Sequence, residues 1–170
     1  VPVDFRRTTI QLATSGDDGT TFTVPRSVQF PTMPFPYYPP NSQFYVAPDQ
    51  HMVVTPTGQL FLVWNEVSTG HVEVMVSHSA DQGLTWSPPL PVAGPDEGDH
   101  ARFHGAIVAD ADGGIHVTYF DRGYNVADKL LDLTWAYSTD GENFTNRRTT
   151  APSFAWYLGH HQSVCPFLGD

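Results

Sequence analysis

The stretch Ser79-Ala-Asp81-Gln-Gly83-Leu-Thr85-Trp86 decides how this sequence is read, because it recurs. Ser15-Gly-Asp17-Asp-Gly19-Thr-Thr21-Phe22 fits the same pattern, S-x-D-x-G-x-T-[W/F], at every position. Ser138-Thr-Asp140-Gly141-Glu-Asn-Phe144 is a variant, one residue shorter before its aromatic. The three serines lie 64 and 59 residues apart, a near-constant period that marks a repeat architecture. The residue types suit a tight turn. The Asp carboxylate can accept backbone N–H bonds, Gly can take the left-handed position, and the aromatic can pack between sheets. The acid reads as structural.

What surrounds the motif repeats as well. Before Ser79, Val72, Val74 and Val76 alternate against His71, Glu73 and Met75, and Leu131 to Tyr137 alternates in the same way before Ser138. Such period-two runs predict half-buried strands. Farther upstream, Met52–Thr55, a Pro-Thr-Gly turn and Leu60–Trp64 predict a hairpin; Ala106–Ala109, Asp110-Ala-Asp112-Gly-Gly and Ile115–Tyr119 predict the same hairpin one repeat later. After each motif a further short strand is expected, over Phe22–Val28, Trp86–Val92 and Phe144–Thr149. Four antiparallel strands in about 55–60 residues make a β-propeller blade, so the expected fold class is all-β.

The motif resembles the Asp box, or BNR repeat, of sialidases and related bacterial propellers, and the repeat pattern covers essentially the whole chain. The resemblance implies a structural role for Ser15, Asp17, Gly19, Phe22, Ser79, Asp81, Gly83, Trp86, Ser138, Asp140 and Phe144. It also implies that substrate would bind on the opposite rim. The phase of the repeats predicts one partial propeller domain over 1–170, of roughly two and a half to three blades. Residues 1–30 would end one blade, 45–92 and 102–150 would form two, and 155–170 would start the next. An arc of that size does not close a ring and leaves strand edges open. The expectation is a piece of a longer polypeptide, supported by the stop at Phe167-Leu-Gly-Asp170, or else several copies completing a ring.

Composition narrows the function classes. The chain has 170 residues, 40% hydrophobic and 13% aromatic, which suits a globular domain. Acids outnumber bases 18 to 8, and the net charge of −10 argues against nucleic acid and against an anionic membrane surface. Fifteen Pro and fourteen Gly favour a turn-rich β protein. The single cysteine, Cys165, has no internal disulfide partner. Few charges and many aromatics are compatible with an extracellular or cell-surface location. No phosphate-cradling Gly loop, Cys-pair zinc motif or nucleophile elbow occurs, so no cofactor is expected.

The loops opposite the motif turns are Phe30–Asp49, Asn65–Gly70, Ala93–Arg102, Asp121–Lys129 and Ala151–His161. They carry rigid aromatic surface in Tyr37, Tyr38, Trp156 and Tyr157, and acids in Asp49, Glu66, Asp96, Glu97, Asp99 and Asp121. Exposed aromatics beside carboxylates are what a sugar site uses. Packing between blades is the competing reading for the Tyr and Pro residues. Asp49, Glu66 and Asp121 are the catalytic candidates; Arg102, His104, Arg122, Tyr37, Tyr38, Trp156 and Tyr157 are the ligand-binding ones. Arg102-Phe-His104-Gly resembles the sialidase R-[IL]-P segment, whose arginine binds the substrate carboxylate, with Phe103-His104 replacing Ile-Pro. The competing reading for Arg102 is a salt bridge to a neighbouring blade, and for Asp121-Arg122 an ion pair at the rim.

His51, His100, His104, His160 and His161 fall near inner-strand starts, but a zinc site needs three or four converging ligands, and no metal is expected. Asp110-Ala-Asp112-Gly-Gly invites a calcium reading; the equivalent Thr55-Pro-Thr-Gly58 has no acid, so the hairpin needs no ion. Asn143-Phe-Thr145 is a glycosylation sequon by pattern only. The functions in view are a module binding a glycan or a partner through the rim, a sialidase-type glycoside hydrolase fragment, and a structural assembly subunit. Whether the chain is an enzyme stays open at this point.

Overall fold

The computed structural model describes residues 8–42, 44–67, 70–95, 100–124 and 130–155. They form ten strands and no helix. The strands are β1 (Ile10–Leu12), β2 (Arg26–Gln29), β3 (Gln50–Val54), β4 (Leu60–Val67), β5 (Val72–Ser79), β6 (Leu90–Pro91), β7 (Arg102–Ala109), β8 (Ile115–Asp121), β9 (Asp132–Ser138) and β10 (Thr145–Arg148). Every pairing is antiparallel and sequential: β1–β2, then β3–β4–β5–β6, then β7–β8–β9–β10. Two four-stranded meanders and a two-stranded piece make up the described sheets, all antiparallel as the fold class expects.

The fourth strands are shorter than the sequence suggests. β2 starts only at Arg26, and β6 is reduced to two residues. Pro25, Pro88 and Pro89 remove the N–H groups a longer ladder would need.

The β-sheets stack face to face through their alternating residues. Between the second and third sheets, Phe61, Val63, Val74 and Val76 meet Ile107, Val117 and Ala136, all buried. Between the first and second, Leu62, Trp64 and Met75 pack on Ile10 and Val28. A third cluster lies under the 30–49 loop, where Met33, Phe44 and Val46 are fully buried beside Val72, Ala101, Phe103 and Leu131. Each fully buried aliphatic side chain contributes about 1.5–3 kcal/mol. Packing of sheet on sheet, with almost no helix-like local structure to help, holds the fold.

The motif turns are built by hydrogen bonds within the motif. Ser79 Oγ donates to Asp81 Oδ1 at 2.7 Å and accepts from Gly83 N at 2.8 Å. Thr85 then donates to the same carboxylate through its backbone N–H at 2.8 Å and its hydroxyl at 2.6 Å. Ser15, Asp17, Gly19 and Thr21 repeat this with matching lengths. In the shortened third copy Gly141 moves up to Ser138, and Asn143 supplies both donors to Asp140 in place of the threonine. The Asn143 side chain of the sequon is thereby engaged.

The motif glycine has a packing role beyond its φ of +79° at Gly83 and +75° at Gly141. A Cβ at Gly141 would strike the Phe61 ring of the preceding sheet, and one at Gly83 would strike Leu12. The motif aromatics follow: Trp86 packs with the first interface and Phe144 with the second. Phe22 is different. The sequence predicts that it packs between sheets, but it is 66% exposed, because the first sheet has no described sheet on its outer side.

Candidate functional site

Strands β3 and β7 start, β4 and β8 end, and β5 and β9 start on one rim; the motif turns and the β3–β4 and β7–β8 hairpins lie on the other. The hairpin rim is closed by local bonds. Asp110 Oδ1 accepts from Asp112 N and Gly114 N, and its Oδ2 pairs with His116 Nε2 at 3.0 Å. Thr55 Oγ1 does the same service for Gln59 N in the preceding repeat. Among the described residues no group of three or more His, Cys, Asp or Glu could hold a metal ion.

The strand-start rim carries two polar clusters. The first lies at a cleft of about 230 Å³ between the first and second sheets, lined among others by Asp49, Gln50, Trp64 and Asn65. Asp49 Oδ2 is 2.7 Å from His104 Nδ1, across to the third sheet. Asn65 Oδ1 accepts from His104 N at 3.2 Å, and its Nδ2 donates to Ala47 O at 3.1 Å. His104 adopts a left-handed φ of +54° inside the register shift between Phe103 and Ala106. For a non-glycine residue this costs on the order of 1 kcal/mol, and the surroundings must hold it. Edge contacts with Phe103 and Phe120 and the Asp49 bond do so. His104 Nε2 is buried without a hydrogen-bond partner among the described residues. Glu66 accepts from the Trp64 indole N–H at 2.9 Å, which places a second carboxylate beside the cleft wall.

The second cluster is a buried ionic network between the second and third sheets. Arg102 Nη1 lies 2.9 Å from Glu73 Oε1, and its Nε lies 3.3 Å from Asp121 Oδ2. His71 Nε2 is 2.7 Å from the same Glu73 oxygen. Burial pushes the Glu73 carboxyl above its ordinary range, opposed by the charges of Arg102 and His71. Asp121 Oδ1 also accepts from Gly123 N at 2.7 Å. Arg102 therefore links neighbouring sheets. Asp121 pairs with Arg102 and not with Arg122, whose Nη1 donates to Pro40 O at 2.7 Å under the 30–49 loop. In the third sheet Asp132 stands where Glu73 stands in the second, and binds Arg148, Thr150 and Ser153.

The 30–49 loop splits the aromatic expectation. Tyr37 is half-buried, bridged to Val46, with its hydroxyl donating to Gly70 O at 3.2 Å. Tyr38 and Phe35 are 46% and 49% exposed and set edge-on against Tyr45, with centroids 6.1 and 5.6 Å away. They form an exposed aromatic corner of the 30–49 loop. Asp96, Glu97, Asp99, Trp156, Tyr157, His160, His161 and Cys165 lie outside the described residues, as does the blade start expected over 155–170 from residue 156 onward. The sequence reading missed Asn65, Gln50 and the His104 bulge. Gly105, an isolated glycine inside the β7 pattern, is the local sign of the bulge; the partners of His104 lie 39 and 55 residues away and have no local sign.

Stacked four-stranded antiparallel meanders with their motif turns on one rim make this chain part of a β-propeller. No protein-family model matches it, and no curated protein matches it. Among solved structures it is similar to the Penicillium chrysogenum α-L-arabinanase complexed with arabinobiose, with a TM-score of 0.59 and 14% identity. It is also similar to the α-L-arabinofuranosidase Arb93A from Fusarium graminearum in complex with an iminosugar inhibitor, with a TM-score of 0.50 and 15% identity. Both matches cover 87% of this chain and 42% of the other. The Hadza microbial sialidase Hz136 matches 58% of this chain and 25% of its own, with a TM-score of 0.45 and 20% identity. The chain thus spans less than half the length of these structures. Likeness at such identity is likeness of fold, and the fold is the one the repeats predict.

Proposed function

We propose that this chain is part of a glycosidase-type propeller, acting outside the cell, whose strand-start rim binds a neutral saccharide. The observation that carries the reading is the cleft at Asp49, Gln50, Trp64 and Asn65, with His104 fixing the Asp49 carboxylate. Its donors and acceptors suit sugar hydroxyls, and the Tyr38–Phe35 corner offers faces for sugar C–H groups. The Penicillium arabinanase, which holds arabinobiose, has the same fold and supports the class of ligand.

The charge balance favours a neutral sugar over an acidic one. Arg102, Arg148 and Arg122 on this rim are engaged with Glu73 and Asp121, with Asp132, and with Pro40 O. Among the described residues that line the cleft, the charged one is Asp49, a carboxylate. A sugar acid about 4 Å from Asp49 would meet roughly 1–4 kcal/mol of repulsion, depending on exposure. A second reading, hydrolysis, is favoured by the Glu66 carboxylate held beside the same cleft, since glycoside hydrolysis uses two carboxylates.

Calorimetric titration with arabinobiose and with sialyllactose tests the proposal. Arabinobiose binding is expected, weakened about tenfold or more by Asp49→Ala or Tyr38→Ala, the loss of roughly one good contact. Binding of sialyllactose with none of arabinobiose would overturn it. Release of sugar from a nitrophenyl arabinoside, abolished by Glu66→Gln, would establish the second reading.

A further inference from the structure

The two outer faces of the arc are complementary, and the repeat register shows how. Aligning Gly58 with Gly113 and Ser79 with Ser138 sets Val53 against Val108, Phe61 against His116, Val76 against Trp135 and His78 against Tyr137. In the second sheet this face is covered by the third, with Gly141 lodged against Phe61. In the third sheet the equivalent face shows Val108 60% exposed beside a stack of His116, Trp135 and Tyr137. His116 has both ring nitrogens satisfied in its own sheet, by Asp110 and by the Trp135 N–H, so it presents a flat ring as Phe61 does.

The opposite end of the chain carries the matching part. Gly19 has a φ of +83°, like Gly83 and Gly141, but a Cβ there would meet nothing within 4 Å. Phe22 and Val24 beside it are 66% and 88% exposed. The Gly83 and Gly141 turns each seat on a preceding sheet, whereas the Gly19 turn seats on none that is described.

We infer that the β7–β10 face receives the Ser15–Phe22 turn of a second copy of this chain, head to tail, with Gly19 over His116 and Phe22 beside Trp135. The geometry continues the interface already present between the second and third sheets. The contact is heterologous, so it propagates or closes into a ring and does not stop at a two-fold dimer.

Light scattering behind a sizing column, over a range of concentrations, tests this with Phe22→Arg and Val108→Arg. Both sites are exposed, and a thermal melt of each variant checks that it folds. Wild-type mass is expected to rise with concentration through multiples of 18.8 kDa. Each variant should associate at least tenfold more weakly by itself. An equimolar mixture of the two should form a two-chain species, because one intact face of each kind remains. A wild-type monomer at every concentration would overturn the inference. So would association blocked by Val108→Arg but not by Phe22→Arg, or association indifferent to both.

Discussion

At the scale of the residue, the motif aspartates act as turn-closing acceptors, and their ionisation is tied to folding. Thr85, through its hydroxyl and N–H, and the Ser79 hydroxyl hold the Asp81 carboxyl down at about 2. Asp140 and Asp17 are lowered by equivalent bonds, from Asn143 first and from Thr21 first. An unfolded Asp titrates near 3.9, roughly, so the folded state favours the charged form. This stability is fully present above about pH 4 and is lost as pH falls through the folded values. Thermal melts of wild type should therefore decline between about pH 4 and 2. Asp81→Asn should flatten part of that decline while lowering the melting temperature at neutral pH. An unchanged pH slope would count against the turn chemistry. These roles were legible in the sequence because every bond spans four residues or fewer. The partners of Arg102 were not, since Glu73 is 29 residues away on another sheet.

At the scale of the element, alternation and turn residues showed where strands lie, whereas the shortness of β2 and β6, which Pro25, Pro88 and Pro89 impose, was not read from the sequence. What the alternation could not show is how one sheet meets the next. That depends on the motif glycines, which sit against Leu12 and Phe61. The same substitution at three positions isolates this effect, because all three glycines share a positive φ. In dilute solution, Gly141→Ala and Gly83→Ala should each cost about 1–3 kcal/mol more than Gly19→Ala, the usual range for overpacking. Denaturant unfolding measures the differences. Equal costs at all three positions would mean that the glycines serve only the turns. The His104 bulge belongs to this scale too. Gly105 marks the bulge, but the left-handed residue is His104 itself, held there by Asn65, Asp49 and two aromatic rings.

At the scale of the whole molecule, the repeats divide labour between two rims. The motif rim spends its polar groups on its own turns. The strand-start rim gathers side chains from different repeats. Arg102, for which the sequence offered a ligand role or a salt bridge to a neighbouring blade, makes that salt bridge, to Glu73 of the second sheet; the cleft lies beside Asp49, Trp64 and Asn65. The measurement that tests this account most directly is a backbone amide shift map of the chain titrated with arabinobiose. The account predicts saturable shifts at Asp49, Gln50, Trp64, Asn65 and His104, with the motif turns at Asp81 and Asp140 unmoved. Shifts centred on the motif turns, or none at the cleft at saturating sugar, would contradict it.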